Sequence, residues 1–312
     1  MSNAQEPEHE PEPEQEIGAG IEHDAAGARR VPPGLHLVST PIGAARDITL
    51  RALDILAGAD VLAAEDTRSL RRLMEIHGIR LNHRPLISYH DHNGAQVRPR
   101  IMAALAEGKS VAYTSEAGTP LVADPGFQLA RAAIAEGRVV LAAPGASAVL
   151  TALTVGGLPT DRFCFVGFAP SHGAARKAML AEVAPIPATL VFYESPKRIH
   201  RLLEELTETV GGERECALCR ELTKRFEEVI RGTLSEVSEA ISGRDLKGEI
   251  VLLLGRAVEI ALGAADLDAA LLSALDEVSL REGVDRVAEQ TGLPRRQVYQ
   301  RALALSRGEE QE

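Results

Sequence analysis

Residues 111–126 read VAYTSEAGTPLVADPG. An apolar, β-branched run breaks there into a loop with two prolines, two glycines, two carboxylates and small hydroxyls. Glycine and proline fix unusual backbone angles, and small side chains leave room for something to lie against the chain. That combination, just past the end of a strand, is what a ligand-binding loop of an open α/β sheet requires.

Outward from this stretch the chain alternates. Strand-like runs occur at 35–40 (LHLVST), 61–66 (VLAAED), 85–90 (PLISYH), 110–115 (SVAYTS) and 138–144 (RVVLAAP). Helix-like segments separate them, and Gly58, Gly78, Gly108 and Gly137 stand where those helices end. Strands alternating with helices predict a parallel sheet covered on both faces. After a further helix at 146–157, LPTDRF reads as a hinge, and a second series of short strands (163–170, 188–195, 215–222, 226–232, 248–255) predicts a mixed sheet. Beyond Arg256 three helical segments follow, two of them joined through Thr-Gly-Leu-Pro like a helix-turn-helix. Arg295, Arg296 and Arg301 tip that unit slightly towards nucleic acid. The expected organisation is a disordered acidic tail at 1–33, an N-terminal α/β domain at 34–157, a second α/β domain at 158–257 and a helical domain at 262–308.

The net charge of −11 is unevenly spread. Residues 1–28 carry eight carboxylates and no lysine or arginine, which leaves −3 for the rest. EPEHEPEPEQE cannot bury apolar area and is expected to be disordered. A nearly neutral body does not exclude a nucleic-acid partner. No signal peptide opens the chain and no apolar run approaches the roughly 18 residues that span a bilayer, so the expectation is a cytoplasmic protein without a membrane partner. Cys216 and Cys219 form a CxxC, but neither a second CxxC nor an HxxxH accompanies it, and it lies in a strand-like stretch. A buried structural pair is the expected reading, with no metal.

The residues following each strand of the first half are therefore the ones to weigh: Pro41-Ile42-Gly43, Glu65-Asp66-Thr67-Arg68, His90-Asp91-His92-Asn93, Ser115 to Gly126, and Pro144-Gly145-Ala146-Ser147. Neither GxGxxG nor GxxxxGK[ST] is present, which argues against NAD, FAD and ATP. The loops suit a ligand with an adenosine and an amino acid but no phosphates.

These residues carry a resemblance. PIG, AAEDTR, HDHN, SEAGTPLVADPG, PGASA, GLPTDRF, FYES and RELTK, in this order between Leu35 and Gly255, resemble the ribosomal RNA small subunit methyltransferase I family of the tetrapyrrole methylase superfamily. The resemblance implies a two-domain enzyme, normally a homodimer, with S-adenosylmethionine in the cleft between domains. It further implies methylation of the ribose 2′-hydroxyl of a cytidine in the decoding region of small-subunit rRNA. On that pattern Ser115, Glu116, Ala117, Gly118, Thr119 and Pro120 lie along the cofactor. Pro41, Ile42, Gly43 and Ser147 add contacts, and Tyr193, Arg220 and Leu222 close over the adenine. Glu116 stands where the family usually has Asp, and Ala146 where it commonly has Pro.

A ribose hydroxyl is a weak acid, so a base would add roughly 10²–10⁴-fold beyond orientation. Glu65, Asp66, His90 and Lys224 are the candidates. Asp66 equally fits an ion pair with Arg68, His90 a cap or an RNA contact, and Lys224 a cation that stabilises an alkoxide or holds a phosphate. The run 68–84 has five arginines against one glutamate, which points to RNA phosphate contact through Arg68, Arg71 and Arg72, the substrate being the rRNA or the assembled small subunit. Two other classes remain open: a tetrapyrrole or other small-molecule methylase on the same fold, and an S-adenosylmethionine-sensing regulator that binds nucleic acid.

Overall fold

The computed structural model describes residues 22–23, 29–257, 264–291, 293 and 295–306. The glutamate-rich run of the tail lies outside the described residues. Met1–Arg256 form one compact unit and Ala257–Glu312 another.

Glu22–His23 (β1) pairs antiparallel with Arg29–Arg30 (β2), and Val31 is buried in the same apolar cluster as Ala52 and Leu56. An apolar anchor directly after the charged segment is enough to tie the chain down.

The first half alternates as expected: Gly34–Val38 (β3), Leu50–Gly58 (α1), Val61–Ala64 (β4), Thr67–Ile76 (α2), Leu86–Ser88 (β5), Gly94–Ala106 (α3), Ser110–Thr114 (β6), Phe127–Ala135 (α4) and Val140–Ala143 (β7). All neighbouring strands are parallel, in the order β5-β4-β6-β3-β7. The two-residue period of the strands sends Leu62 and Ala64 into one layer with α1 and α2, and Val61, Ala63 and Tyr113 into the other with α3 and α4. The connections after β4 and β6 thus leave towards opposite faces. A crevice opens at such a point beyond the strands' C-terminal ends.

Ala148–Gly156 (α5) leads into the second half: Phe163–Phe168 (β8), Gly173–Val183 (α6), Thr189–Glu194 (β9), Ile199–Val210 (α7), Glu215–Arg220 (β10), Glu228–Thr233 (β11), Leu234–Ala240 (α8) and Ile250–Leu254 (β12). Their sheet runs β11-β10-β12-β9-β8, with only β8 and β9 parallel. Helices α6, α7 and α8 bury one face. The other face is buried by α5, whose Val149, Ala152 and Leu153 pack on Val191, Ala217 and Leu253. A Cβ on Gly156 would meet Leu253 Cδ1 at 2.3 Å, so glycine is what lets α5 lie this close. Because α5 leaves the first sheet and packs on the second, the two α/β halves make one unit.

Cys216 and Cys219 point into opposite layers of this sheet, and burial pushes both thiols up to about 12. They cannot ligate one ion together. Among the described residues no helix is long and apolar enough to cross a membrane.

In the second unit Ala264–Glu277 (α9), Leu280–Thr291 (α10) and Arg295–Ser306 (α11) enclose a small core of Leu271, Val284, Val287 and Val298. Arg301 is held by Asp268 (Nη2–Oδ2 2.5 Å) and Arg295 by Asp285, so that of the three considered for nucleic acid Arg295 and Arg296 are exposed and Arg295 is already in an ion pair.

Candidate active site: a cleft between a sheet edge and a sheet face

The loops after β3 and β6 are stitched together. Thr40 N donates to Gly118 O (3.0 Å) and Gly118 N to Thr40 O (3.1 Å). Gly118 has φ +78, a left-handed conformation that glycine adopts without strain. Ser115 Oγ donates to Gly118 O (3.2 Å), and Thr119 Oγ1 donates to Ala146 O (3.0 Å), fastening this loop to the one after β7.

The remainder of the opening stretch is organised by Asp124. Its Oδ1 accepts from Tyr113 Oη (2.9 Å) and from the backbone of Gly126 (2.7 Å) and Leu121 (3.3 Å). Leu121 and Ala123 are held at φ 73 and 55, strained for residues with a Cβ. One carboxylate satisfying two backbone donors and a phenol holds that strain in place. Glu65 approaches the same carboxylate, and its own Oε2 accepts from Glu116 N (3.0 Å). Burial pushes the Glu65 carboxyl up, the neighbouring Asp124 charge adds to this, and the Glu116 N–H partly offsets it.

The β3 loop also meets the second half. A Cβ on Gly43 would meet Thr223 Oγ1 at 2.5 Å and Lys224 Cγ at 2.6 Å, and Ala44 N donates to Thr223 Oγ1 (3.1 Å). Glu221 and Thr223 are themselves at positive φ (51 and 62), so backbone strain concentrates on the second half's side of this contact.

Between the halves lies a cleft of about 260 Å³, close to the lower end of the roughly 300–1,000 Å³ range of small-molecule sites. From the first half Ile42, Ala117, Gly118, Thr119 and Ser147 line it. From the second come Tyr193 and Leu222, with Lys224 at one side. Tyr193 packs edge-on to Phe165 and Phe168, with centroids 4.9 and 5.5 Å apart. Pro41, Gly43, Ser115 and Glu116 line an adjoining cavity instead. Pro120 is buried beneath the loop, and Arg220 turns away, its Nε donating to Glu228 (3.0 Å) and its Nη1 to Lys247 O (3.2 Å).

The four proton-acceptor candidates are not brought together. Asp66 caps α2: its Oδ1 accepts from Arg68 N (2.8 Å), and hydrogen bonds from the Arg68 side chain hold its carboxyl below the usual range. His90 lies two residues beyond β5, its backbone N–H donating to Asn93 Oδ1 (2.9 Å), and it lines neither cavity. Lys224 donates to Glu221 (2.7 Å) and Glu249 (2.6 Å). Burial lowers its pKa, but these two carboxylates outweigh that and leave it raised, so it is a cation at neutral pH. Glu65 also lines neither cavity, but of the four it alone combines a raised carboxyl with a direct bond to the β6 loop that lines both. Arg68 is engaged by Asp66, Arg71 is exposed on α2, and Arg72 lines the adjoining cavity.

Several lining residues escaped the sequence reading: Phe168, Cys219, Glu249, Ile250 and Val251. They sit in or beside strands of the second sheet and read as ordinary core alternation. Asp124 was missed as well, although an Asp within a Pro/Gly-rich loop is a recognisable turn signal.

Comparison with known proteins agrees with this geometry. Residues 34–238 match the family described as Tetrapyrrole (Corrin/Porphyrin) Methylases, and residues 261–306 match the RsmI C-terminal HTH domain. The methyltransferase CobJ shares the fold, with a TM-score of 0.56 and 20% identity over 72% of this chain and 94% of its own. Uroporphyrin-III C-methyltransferase from Thermus thermophilus, solved with S-adenyl homocysteine, has a TM-score of 0.51 and 19% identity over 73% and 99%. Fold and cleft thus define a methyltransferase of the tetrapyrrole methylase class, whose methyl donor is S-adenosylmethionine.

Proteins named ribosomal RNA small subunit methyltransferase I are closer in sequence. That of Mesorhizobium japonicum is 46% identical over 89% of this chain and 94% of its own length; that of Halalkalibacterium halodurans is 39% identical over 85% and 93%. The chain belongs to the ribosomal RNA small subunit methyltransferase I family.

Proposed function

We propose that this protein transfers a methyl group from S-adenosylmethionine to the 2′-hydroxyl of a cytidine in the decoding region of small-subunit rRNA, acting in the cytoplasm as a homodimer. The observation that carries the reading is the cleft itself, read together with the names of the relatives. Its walls are a glycine bend, small hydroxyls, an aromatic cluster and the N-terminal turn of α5 at Ser147 and Ala148.

The residues present fit the donor. The left-handed Gly118 bend and the hydroxyls of Thr119 and Ser147 offer polar groups to its amino-acid and ribose parts, while Ile42, Leu222 and Tyr193 give apolar walls to an adenine. When bound, S-adenosylmethionine would supply an activated methyl on a positively charged sulfur, to be taken by the ribose oxygen with the carbon–sulfur electron pair left on sulfur and the hydroxyl proton passed to a base. This chain holds the reactants in line and excludes water, worth roughly 7–11 kcal/mol when orientation is good. Glu65 is the group best suited to take the proton, since its raised carboxyl lies nearer neutral pH than an ordinary glutamate and is bonded to the loop that lines both cavities. The exposed arginine on α2, Arg71, and its neighbour Arg72 favour rRNA phosphates.

The test is incubation of the protein with labelled S-adenosylmethionine and small subunits from a strain lacking it, followed by mapping of the labelled nucleotide. Label on a cytidine ribose in the decoding region bears the proposal out. Label on a base, on another RNA region, or only on a small molecule overturns it. Light scattering of the purified protein checks the dimer.

A further inference from the structure

A second cavity, of about 190 Å³, opens beside the cleft between the C-terminal ends of β3 and β6 and helix α2. The Thr40–Gly118 bridge stands between the two. The same two loops line both, shared out residue by residue. Pro41 and Gly43 line the second cavity and Ile42 the first; Ser115 and Glu116 line the second, Ala117 and Gly118 the first. A ligand in each would be separated by a single pair of backbone strands.

The second cavity has a distinct chemistry. Helix α2 gives it an apolar wall of Leu70, Leu73 and Ile76, the last 56% exposed. Arg72 and Glu116 place a guanidinium and a carboxylate at the exposed side. Thr40 and Thr114 line it from within, 4% and 0% exposed, and both hydroxyl oxygens are buried with no hydrogen-bond partner in the protein. Buried hydroxyls are almost always paired, so two orphans lining one cavity mark it as built for a polar guest. A flat apolar wall faced by a carboxylate acceptor, hydroxyls and a phosphate-binding cation is the complement of a nucleobase with its flanking phosphate.

We propose that this second cavity receives the base of the acceptor nucleotide, turned out of its stack, and that Glu116 selects cytosine by accepting a hydrogen bond from its exocyclic amino group. The inference rests on the reading that the substrate is a cytidine of rRNA. Extruding the nucleotide would bring its ribose hydroxyl up to the donor cleft, and the bridge between the cavities is where a sugar attached to that base would lie. A carboxylate accepts from the cytosine amino group but faces a carbonyl oxygen in uracil, which it repels. Glu116 is free for this role because only its backbone N–H is committed, to Glu65.

Three variants and two substrates test the proposal: Glu116→Ala, Glu116→Gln and Ile76→Trp, each with small subunits carrying either cytidine or uridine at the mapped position. Glu116→Ala is expected to lower kcat/KM on the cytidine substrate about tenfold or more and to shrink the cytidine-to-uridine ratio by a similar factor. Glu116→Gln, whose amide oxygen still accepts, recovers part of that ratio. Ile76→Trp fills the cavity and lowers turnover on both substrates. All three keep S-adenosylhomocysteine affinity within about twofold by calorimetry, which also reports that they are folded. An unchanged cytidine-to-uridine ratio in Glu116→Ala, or full turnover by Ile76→Trp, overturns the proposal while leaving the function standing. A wild-type protein that labels no cytidine ribose overturns the function, and this proposal with it.

Discussion

The two halves of the large unit contribute to one cleft in different ways. The parallel half presents its edge: the site residues are loops beyond β3, β6 and β7, with Gly118, Ser147 and their neighbours set where the strands stop. The mixed half presents a face: Tyr193, Cys219, Ile250 and Val251 lie within or at the start of strands that also bury α5. An edge of loops can be shaped by glycine, proline and turn residues, so it supplies polar groups and specific backbone angles. A sheet face is flat, rigid and apolar, so it supplies a wall. Strain is stored on the edge side at Leu121 and Ala123, and in the mixed half at the 221–223 turn that meets Gly43, outside the strands that make the wall.

That contrast can be broken most severely from behind the face. Arg176 and Glu205 form a buried pair between α6 and α7 (Nη2–Oε1 2.8 Å), and Arg201 also donates to Glu205 (3.0 Å). Glu205→Ala leaves a buried guanidinium short of a partner and is expected to cost about 3–5 kcal/mol, read as a fall in melting temperature on the order of 10 °C. The pair also gives a pH signature. Hydrogen bonding to Arg176 lowers the Glu205 pKa to about 2, below the unfolded value of 4.5. Its stabilisation is therefore complete above the unfolded value and lost as pH falls towards 2; acid melts of the wild type carry this loss and those of Glu205→Ala lack it.

Prying the edge from the face comes next. Gly43→Val pushes a side chain into Thr223 and Lys224, and S-adenosylhomocysteine affinity is expected to fall about 100-fold by calorimetry, roughly 2.7 kcal/mol. Gly156→Ala, which forces α5 off Leu253, is expected to lower stability by about 1–3 kcal/mol in urea melts, with a smaller effect on affinity.

Two gentler changes sharpen the picture on the edge alone. If Glu65 takes the proton, kcat/KM rises with pH through a carboxyl displaced upward from its ordinary value, and Glu65→Gln removes that acid limb. An acid limb that persists in Glu65→Gln assigns the proton to another group. Thr119→Val removes the bond to Ala146 O, and a loss of about 1 kcal/mol, a few-fold in affinity, is expected.

The same contrast explains what could be read in advance. Strand–helix alternation, the helix-ending glycines and the loop clusters of the first half were legible because each is a local pattern with a local cause. Ser115 to Thr119 could be singled out because such loops have few uses other than binding. The face residues could not, since Val251 and Cys219 obey the same two-residue alternation as any core strand. Asp66 and Lys224 show the other limit: as residue types they fit proton transfer, but Arg68 and the pair Glu221 and Glu249 already occupy them.

By itself the sequence determined the alternating α/β architecture, the position of the decisive loop and the family, because periodicity, turn chemistry and motif order are properties of the chain as written. Tertiary structure alone decided that α5 welds the halves into one unit, that one loop lines two cavities, and which charged groups are already paired. Those are matters of distance between segments far apart in the chain, and no local pattern encodes them.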